Sequence, residues 1–194
     1  MALPFTDAQR DAIRLRLFES AQKHLRTSGA KKTSLDMLTA DAGISKSSFY
    51  RFFETKEQLF FEVAGCWENE ILSGATKSLA QSTGMSNKAR AAAFVYAAFE
   101  MIVRLELVRF MREDLPYLNS LVPQNEAKVH CMNSSQMIFD SLREAKIQFH
   151  APDETVLSVI QLLYLSILSS VEIGEGFFPA LRELVQSACD RLVA

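Results

Sequence analysis

The chain has 194 residues, 48% of them hydrophobic and 23% charged, with a formal net charge of −2. That length holds one domain, or a small one and a larger one, and the apolar fraction suffices for a buried core, which excludes a largely disordered chain. Seven glycines and five prolines are too few for collagen-like repeats or a turn-rich β-sandwich, and near-neutral charge excludes a coat that binds nucleic acid by bulk charge alone. A local basic surface stays open.

Helical periodicity runs from end to end. Ile13, Leu17, Ala21 and Leu25 recur every four residues until Ser28-Gly29 stops the first helix. Ser34 is placed to cap a short second helix with Leu35, Leu38 and Ala42 on its apolar side, and Gly43 to end it in a left-handed conformation. Ser45 then caps a third helix that buries Phe49 and either Phe52 or Phe53. Thr55 caps a fourth, whose apolar side is Leu59, Phe60, Val63 and Trp67. Further helices are expected over about 87–109, 126–149, 153–171 (with Asp153 as cap) and 179–193, with an irregular or short helical stretch between Pro116 and Pro123. The fold class is all-α, with about nine helices.

Chemistry-bearing residues are sparse. Cys66, Cys131 and Cys189 lack the spacing of a zinc site, and His24, His130 and His150 lie far apart. The cysteines read as small buried hydrophobes. Glu113-Asp114 reads as a surface or capping pair, and no phosphate loop or nucleophile elbow is present. No enzyme activity, metal or cofactor is expected. Met1 to Arg16 has no apolar core of a signal peptide, and Val156 to Val171 is too short and serine-rich to span a bilayer. A soluble cytoplasmic protein is expected.

Residues 33–56 carry the most information. A short helix, a turn containing glycine and a second short helix form a helix-turn-helix, whose second helix must offer short polar side chains to a major groove at its start. That start reads Ser45-Lys46-Ser47-Ser48, without an acidic residue until Glu54. Tyr50, Arg51 and Lys56 then supply donors where a duplex backbone would lie.

The series Leu17-Phe18, Ala21, Leu25, Gly29, Thr33-Ser34-Leu35, Leu38, Ala42-Gly43-Ile44-Ser45-Lys46, Phe49-Tyr50-Arg51-Phe52-Phe53 and Thr55-Lys56-Glu57 resembles the DNA-binding region of the TetR family of transcriptional regulators. The resemblance covers about residues 10–62. It implies phosphate contacts from Thr33, Tyr50 and Lys56, base reading by Lys46, Ser47 and Ser48, and Arg51 at either backbone or base. Ser34 and Ser45 join the same DNA-facing set, chiefly as caps. Ser47 stands where the family often has glycine, and Thr39 where it often has alanine.

The resemblance also implies a DNA-binding domain over 1–54 and a helical domain over 55–194 that binds an effector and forms a homodimer. The segments 153–173 and 179–193 offer the apolar stripes for that dimer. An adaptable apolar pocket could use Trp67, Phe94, Phe99, Met101, Tyr117, Met132, Asn133, Gln136, Met137 and Tyr164, although the same residue types fill any helical core. The implied function is a dimeric repressor of a pseudo-palindromic operator, released by a small molecule of unknown identity. The alternative is a DNA-binding dimer without an effector. Residues 1–64 hold 10 Lys+Arg against 8 Asp+Glu, and 65–194 hold 11 against 15, so a mildly basic head precedes an acidic body.

Overall fold

The computed structural model describes residues 5–121 and 135–194. Expectations placed on Met132, Asn133, His130, Cys131 and the start of the 126–149 helix lie outside the described residues. The described chain is all-α, with one isolated antiparallel bridge between Phe149 and Val193. It divides into two compact units. One holds the chain up to Cys66 together with Arg109–Leu118, and the other holds Trp67–Val108 and the chain from Asn119 onward. Among the described residues no single helix is long and apolar enough to cross a membrane, and no group of three or more His, Cys, Asp or Glu could hold a metal.

In the first unit, local capping sets each helix start. α1 (Asp7–Thr27) opens on a capping box between Thr6 and Gln9 and buries Ile13, Leu17, Ala21 and Leu25. Ser28 closes it, and Gly29 follows at φ +83°. The Ser34 hydroxyl accepts from the Met37 N–H (3.2 Å) to start α2 (Leu35–Ala42), which ends at Gly43 with φ +67°. Ser45 caps α3 (Lys46–Phe49), a single turn. Thr55 Oγ1 accepts from the Gln58 N–H (3.0 Å) at the start of α4 (Lys56–Gln81), which continues past Cys66 into the second unit's residues. Leu17, Leu25, Leu38, Phe49, Phe53, Leu59 and Phe60 are buried, and Phe53 rather than Phe52 joins Phe49 in the core. Cys66 is exposed, contrary to the expectation of a buried hydrophobe.

Asp41 fastens α2 to α1. Ser20 Oγ donates to its Oδ2 at 2.8 Å, with His24 Nε2 at 2.9 Å and Lys23 Nζ at 3.8 Å. The Ser20 hydrogen bond is the largest influence, His24 and Lys23 add to it and partial burial opposes it, so the carboxyl titrates below its ordinary 3.8.

Arg109–Leu118 brings the tie that closes this unit. Phe110–Asp114 is a π-helical turn leading into α6 (Leu115–Ser120), where Pro116 has no N–H to give to a preceding carbonyl. Asp114 is 4% exposed. Its Oδ1 accepts from the Ala30 N–H at 2.8 Å, while Arg109 lies 3.4 Å from Oδ2 and donates to the Leu25 carbonyl near the end of α1. A Cβ on Gly29 would stand 2.8 Å from Asp114 Oδ1, so this turn needs glycine for space as well as for φ. The acidic pair therefore splits. Glu113 is an exposed partner of Arg109 and Arg112, whereas Asp114 is a buried group that satisfies a distant turn.

The second unit is built on α5 (Asn87–Arg104), α7 (135–144), α8 (Asp153–Ile167), α9 (Ser170–Ile173) and α10 (Phe177–Leu192), with α10 lying along α5. Phe94, Val95, Ala98 and Phe99 on α5 are buried, as are Leu142 of α7, Val156 and Ile160 of α8, and Leu181 and Val185 of α10. Burial pushes the Cys189 thiol up to about 12, leaving it protonated and inert. Three helices end earlier than their periodicity suggests. α5 stops because Glu106 turns left-handed (φ +58°), with the Leu107 N–H returning to the Ile102 carbonyl at 3.0 Å. Lys146 (φ +62°) ends α7 the same way. α8 stops at Ile167 instead of continuing to Val171. Asp153 is the first residue of α8 rather than its cap, and it pairs with Arg143. α10 begins at Phe177, with Pro179 in its first turn where a missing N–H costs nothing.

Asp114→Ala strands a buried N–H and removes the carboxylate beside Arg109, so urea unfolding should show a loss of about 1–3 kcal/mol. Asp114→Asn, which keeps an acceptor, should lose less. Gly29→Ala should lose more than about 1 kcal/mol. Asp41, with its folded pKa depressed, contributes stability above pH 3.8 that disappears as pH falls through and below that value. Asp41→Asn should therefore be less stable than wild type near neutrality, with the gap closing in acid. A gap unchanged between about pH 6 and about pH 3 would contradict this.

Candidate nucleic-acid interface

The left-handed Gly43 reverses the chain at the end of α2, and the half-buried Ile44 leads straight into the Ser45 cap. The two-helix unit is thus set by local chemistry. At the start of α3, Ser45 Oγ accepts from the Ser48 N–H at 3.2 Å and lies 2.9 Å from Ser47 Oγ and 3.0 Å from Ser48 Oγ. Lys46 Nζ reaches back to Asp36 Oδ1 at 2.7 Å. Ser45, Lys46 and Ser47 are exposed and Ser48 is half-buried, so three hydroxyls and one ammonium share this end of the helix. Hydroxyls can donate or accept, which suits base edges.

Tyr50 is 60% exposed, its ring edge-on to Phe49 with centroids 5.7 Å apart. Arg51 is exposed as well. Phe49 and Phe53 (5.7 Å between centroids) anchor the segment from below. Tyr50 and Arg51 therefore extend the polar surface that begins at Ser45.

Two of the expected residues are turned toward the protein, and a third serves as a cap. Thr33 is fully buried, with Oγ1 donating to the Gly29 carbonyl at 2.7 Å. Lys56 donates to the carbonyls of Thr33 (2.7 Å) and Ala30 (3.4 Å) and lies 3.8 Å from Glu57. The Ser34 hydroxyl is exposed and accepts the Met37 N–H as the cap of α2. The structure brings Thr33 and Lys56 together as a brace of the Gly29–Thr33 turn. Sequence reading missed the roles of Asp36 and Asp114. Asp36 carried a signal, since it sits in the first turn of α2 where an acidic residue is favoured. Asp114 carried none, because its partner is 84 residues away.

The residues considered for a ligand pocket are dispersed. Trp67, Phe94 and Phe99 are buried in the second unit. Met101 lines a groove of about 920 Å³ between α4 and α5, with Gly74, Lys77, Glu100, Arg104 and Phe178. Tyr117 belongs to the first unit, its ring 4.9 Å from Lys31 Nζ. Gln136 donates to Asp140 at 2.8 Å, while Met137 and Tyr164 are half-buried.

Residues 17–63 match the model of the family described as bacterial regulatory proteins, tetR family. No curated protein sequence matches the chain. Solved structures share the fold over nearly the full length. A protein of Shewanella sp. PV-4, assigned to the tetR-family transcription regulators, gives a TM-score of 0.67 at 15% identity, covering 94% of this chain and 98% of its own. A TetR-family transcriptional regulator of Bordetella parapertussis 12822 gives 0.60 at 18% identity, covering 91% and 93%. One from Pectobacterium atrosepticum gives 0.57 at 23% identity, covering 96% and 94%. These likenesses establish the fold, and the match over α1 to α4 falls on the helix-turn-helix itself. The chain thus carries a stretch that matches the tetR family of bacterial regulatory proteins, inside an all-α fold shared with solved TetR-family regulators.

Proposed function

We propose that the chain is a repressor that binds a pseudo-palindromic duplex operator as a homodimer and is released by a small-molecule effector. The observation that carries the reading is the exposed start of α3, where Ser45, Lys46, Ser47 and Ser48 stand together beside Tyr50 and Arg51. Lys46, Ser47 and Ser48 read bases, and Tyr50 contacts phosphate. Arg51 is available to either. Thr33 and Lys56 serve the duplex through the turn they brace, with the Lys56 charge adding to the local field. Residues 1–54 form the DNA-reading part and 55–194 the regulatory part.

Two-fold symmetry suits this chemistry, because two recognition helices about 34–36 Å apart read successive major grooves on one face of the duplex. Leu162 and Leu165 on α8, Val171 and Ile173 on α9, and Leu184 on α10 are large apolar residues left exposed. A second copy would cover them. The effector half of the reading is supported by the groove between α4 and α5, whose volume of about 920 Å³ suits a small organic ligand. RolR, a structural neighbour, was solved with resorcinol. Because α4 is continuous from Lys56 to Gln81, a ligand that displaces it changes the setting of the recognition helices. A coupling of about 1–3 kcal/mol changes affinity roughly 5–150-fold. The tight burial of Phe94 and Phe99 favours the second reading, a DNA-binding dimer without an effector. Unchanged DNA affinity across a panel of small aromatic and aliphatic metabolites would decide for it.

Ser47→Ala and Ser48→Ala should each relax discrimination at one base pair by about 1–3 kcal/mol while leaving the salt dependence of binding unchanged. Competition between single-base variants of a duplex selected by the wild-type protein measures this, and a uniform loss across all variants would contradict the assignment. Leu162→Glu should turn the dimer into a monomer in sedimentation experiments and weaken operator binding. A wild-type chain that sediments as a monomer at micromolar concentration would overturn the dimer.

A further inference from the structure

The cations around α3 are held in two different ways. Lys46 sits on Asp36, Arg14 on Glu62 as well as the Phe53 ring, and Lys56 on two carbonyls and Glu57 as well as the Phe60 ring. Arg10 and Arg51 lie on rings without a carboxylate. The Arg51 guanidinium carbon lies 5.2 Å from the Phe5 centroid and that of Arg10 lies 5.7 Å from the Phe52 centroid. The Phe5 and Phe52 centroids are themselves 6.1 Å apart. Both arginines are exposed, and among the described residues neither pairs with a carboxylate.

The physical difference matters. A carboxylate orients a guanidinium and cancels its charge, whereas a ring face orients it and leaves both the charge and the N–H fork in use. Phe5 precedes the Thr6 cap, the position from which an apolar residue ordinarily packs on the fourth residue of its own helix. In α1 that fourth residue is Arg10, and Phe5 packs on Phe52, just beyond α3. The entry to α1 is thereby tied to the end of the recognition segment.

The geometry points to Arg10 and Arg51, seated on the Phe5–Phe52 pair, as a DNA-phosphate contact site flanking α3, with Phe5 as a positioning residue that acts through Arg51. This rests on the reading of α3 as the DNA-reading helix. Phosphate is the ligand because a pre-oriented, unneutralised guanidinium matches two phosphate oxygens with two parallel N–H donors. Holding Arg51 beforehand reduces the side-chain freedom lost on binding.

The test uses the full chain on a fluorescent duplex enriched from a random pool by the wild-type protein, and on a scrambled duplex, across a sodium chloride series. Arg10→Ala and Arg51→Ala should each make the slope of log affinity against log salt shallower by about 0.9 per protomer, on both duplexes alike. Phe5→Ala should weaken binding several-fold with the slope unchanged, because both charges remain, and Phe5→Tyr should restore wild-type affinity. Wild-type slopes in both arginine variants overturn the site, and wild-type affinity in Phe5→Ala overturns the positioning role. A wild-type protein that enriches no duplex overturns the reading of α3 and this site with it, and is recognised by the absence of binding before any substitution.

Discussion

The turn from Gly29 to Thr33 is the constraint on which the first unit depends. It must reverse the chain between α1 and α2 with Gly29, Ala30 and Thr33 buried, and their backbone donors and acceptors need partners. Three side chains supply them: Asp114 takes the Ala30 N–H, Lys56 gives to the Ala30 and Thr33 carbonyls, and Thr33 gives to the Gly29 carbonyl. Arg109 neutralises Asp114 and binds the Leu25 carbonyl near the end of α1. One short turn thus holds the end of α1, the start of α2, the start of α4 and the Arg109–Leu118 segment in one arrangement. Asp41 completes it by pinning α2 to α1 through Ser20 and His24.

That arrangement gives a one-turn recognition helix its rigidity. Four residues cannot form a stable helix alone, since nucleation is unfavourable and few hydrogen bonds follow. α3 persists because Ser45 caps it and the Phe49 and Phe53 rings seat it on a fixed base. The interior is spent on holding α3, and the exterior carries hydroxyls and cations. The unit therefore presents donors at a defined height rather than a diffuse positive surface, in keeping with a chain whose net charge is only −2.

What could be read from the sequence was what local chemistry determines. The caps at Ser34, Ser45 and Thr55 and the left-handed Gly43 involve partners within a few residues, and each forms where expected. The stops at Glu106 and Lys146 escaped reading because non-glycine residues take the left-handed turn there, and only the surrounding hydrogen bonds reveal it. Asp114 escaped because a carboxylate that caps a turn from a distant part of the chain has no local pattern. The resemblance implies phosphate contacts for Thr33 and Lys56, and what no local pattern shows is that both also hydrogen-bond within the same turn. Trp67, Phe94 and Phe99 illustrate a different limit, because a core and an apolar pocket use the same side chains. Sequence type alone does not separate them.

The central claim is that a symmetric pair of α3 helices reads duplex DNA in sequence. Selection from a random pool of duplexes by the wild-type chain, followed by sequencing, tests it most directly. The expected result is enrichment of an inverted repeat whose half-site centres lie about one helical turn, roughly 10–10.5 base pairs, or a multiple of it apart. A pool that stays random, or one that converges on a lone half-site without symmetry, would contradict it.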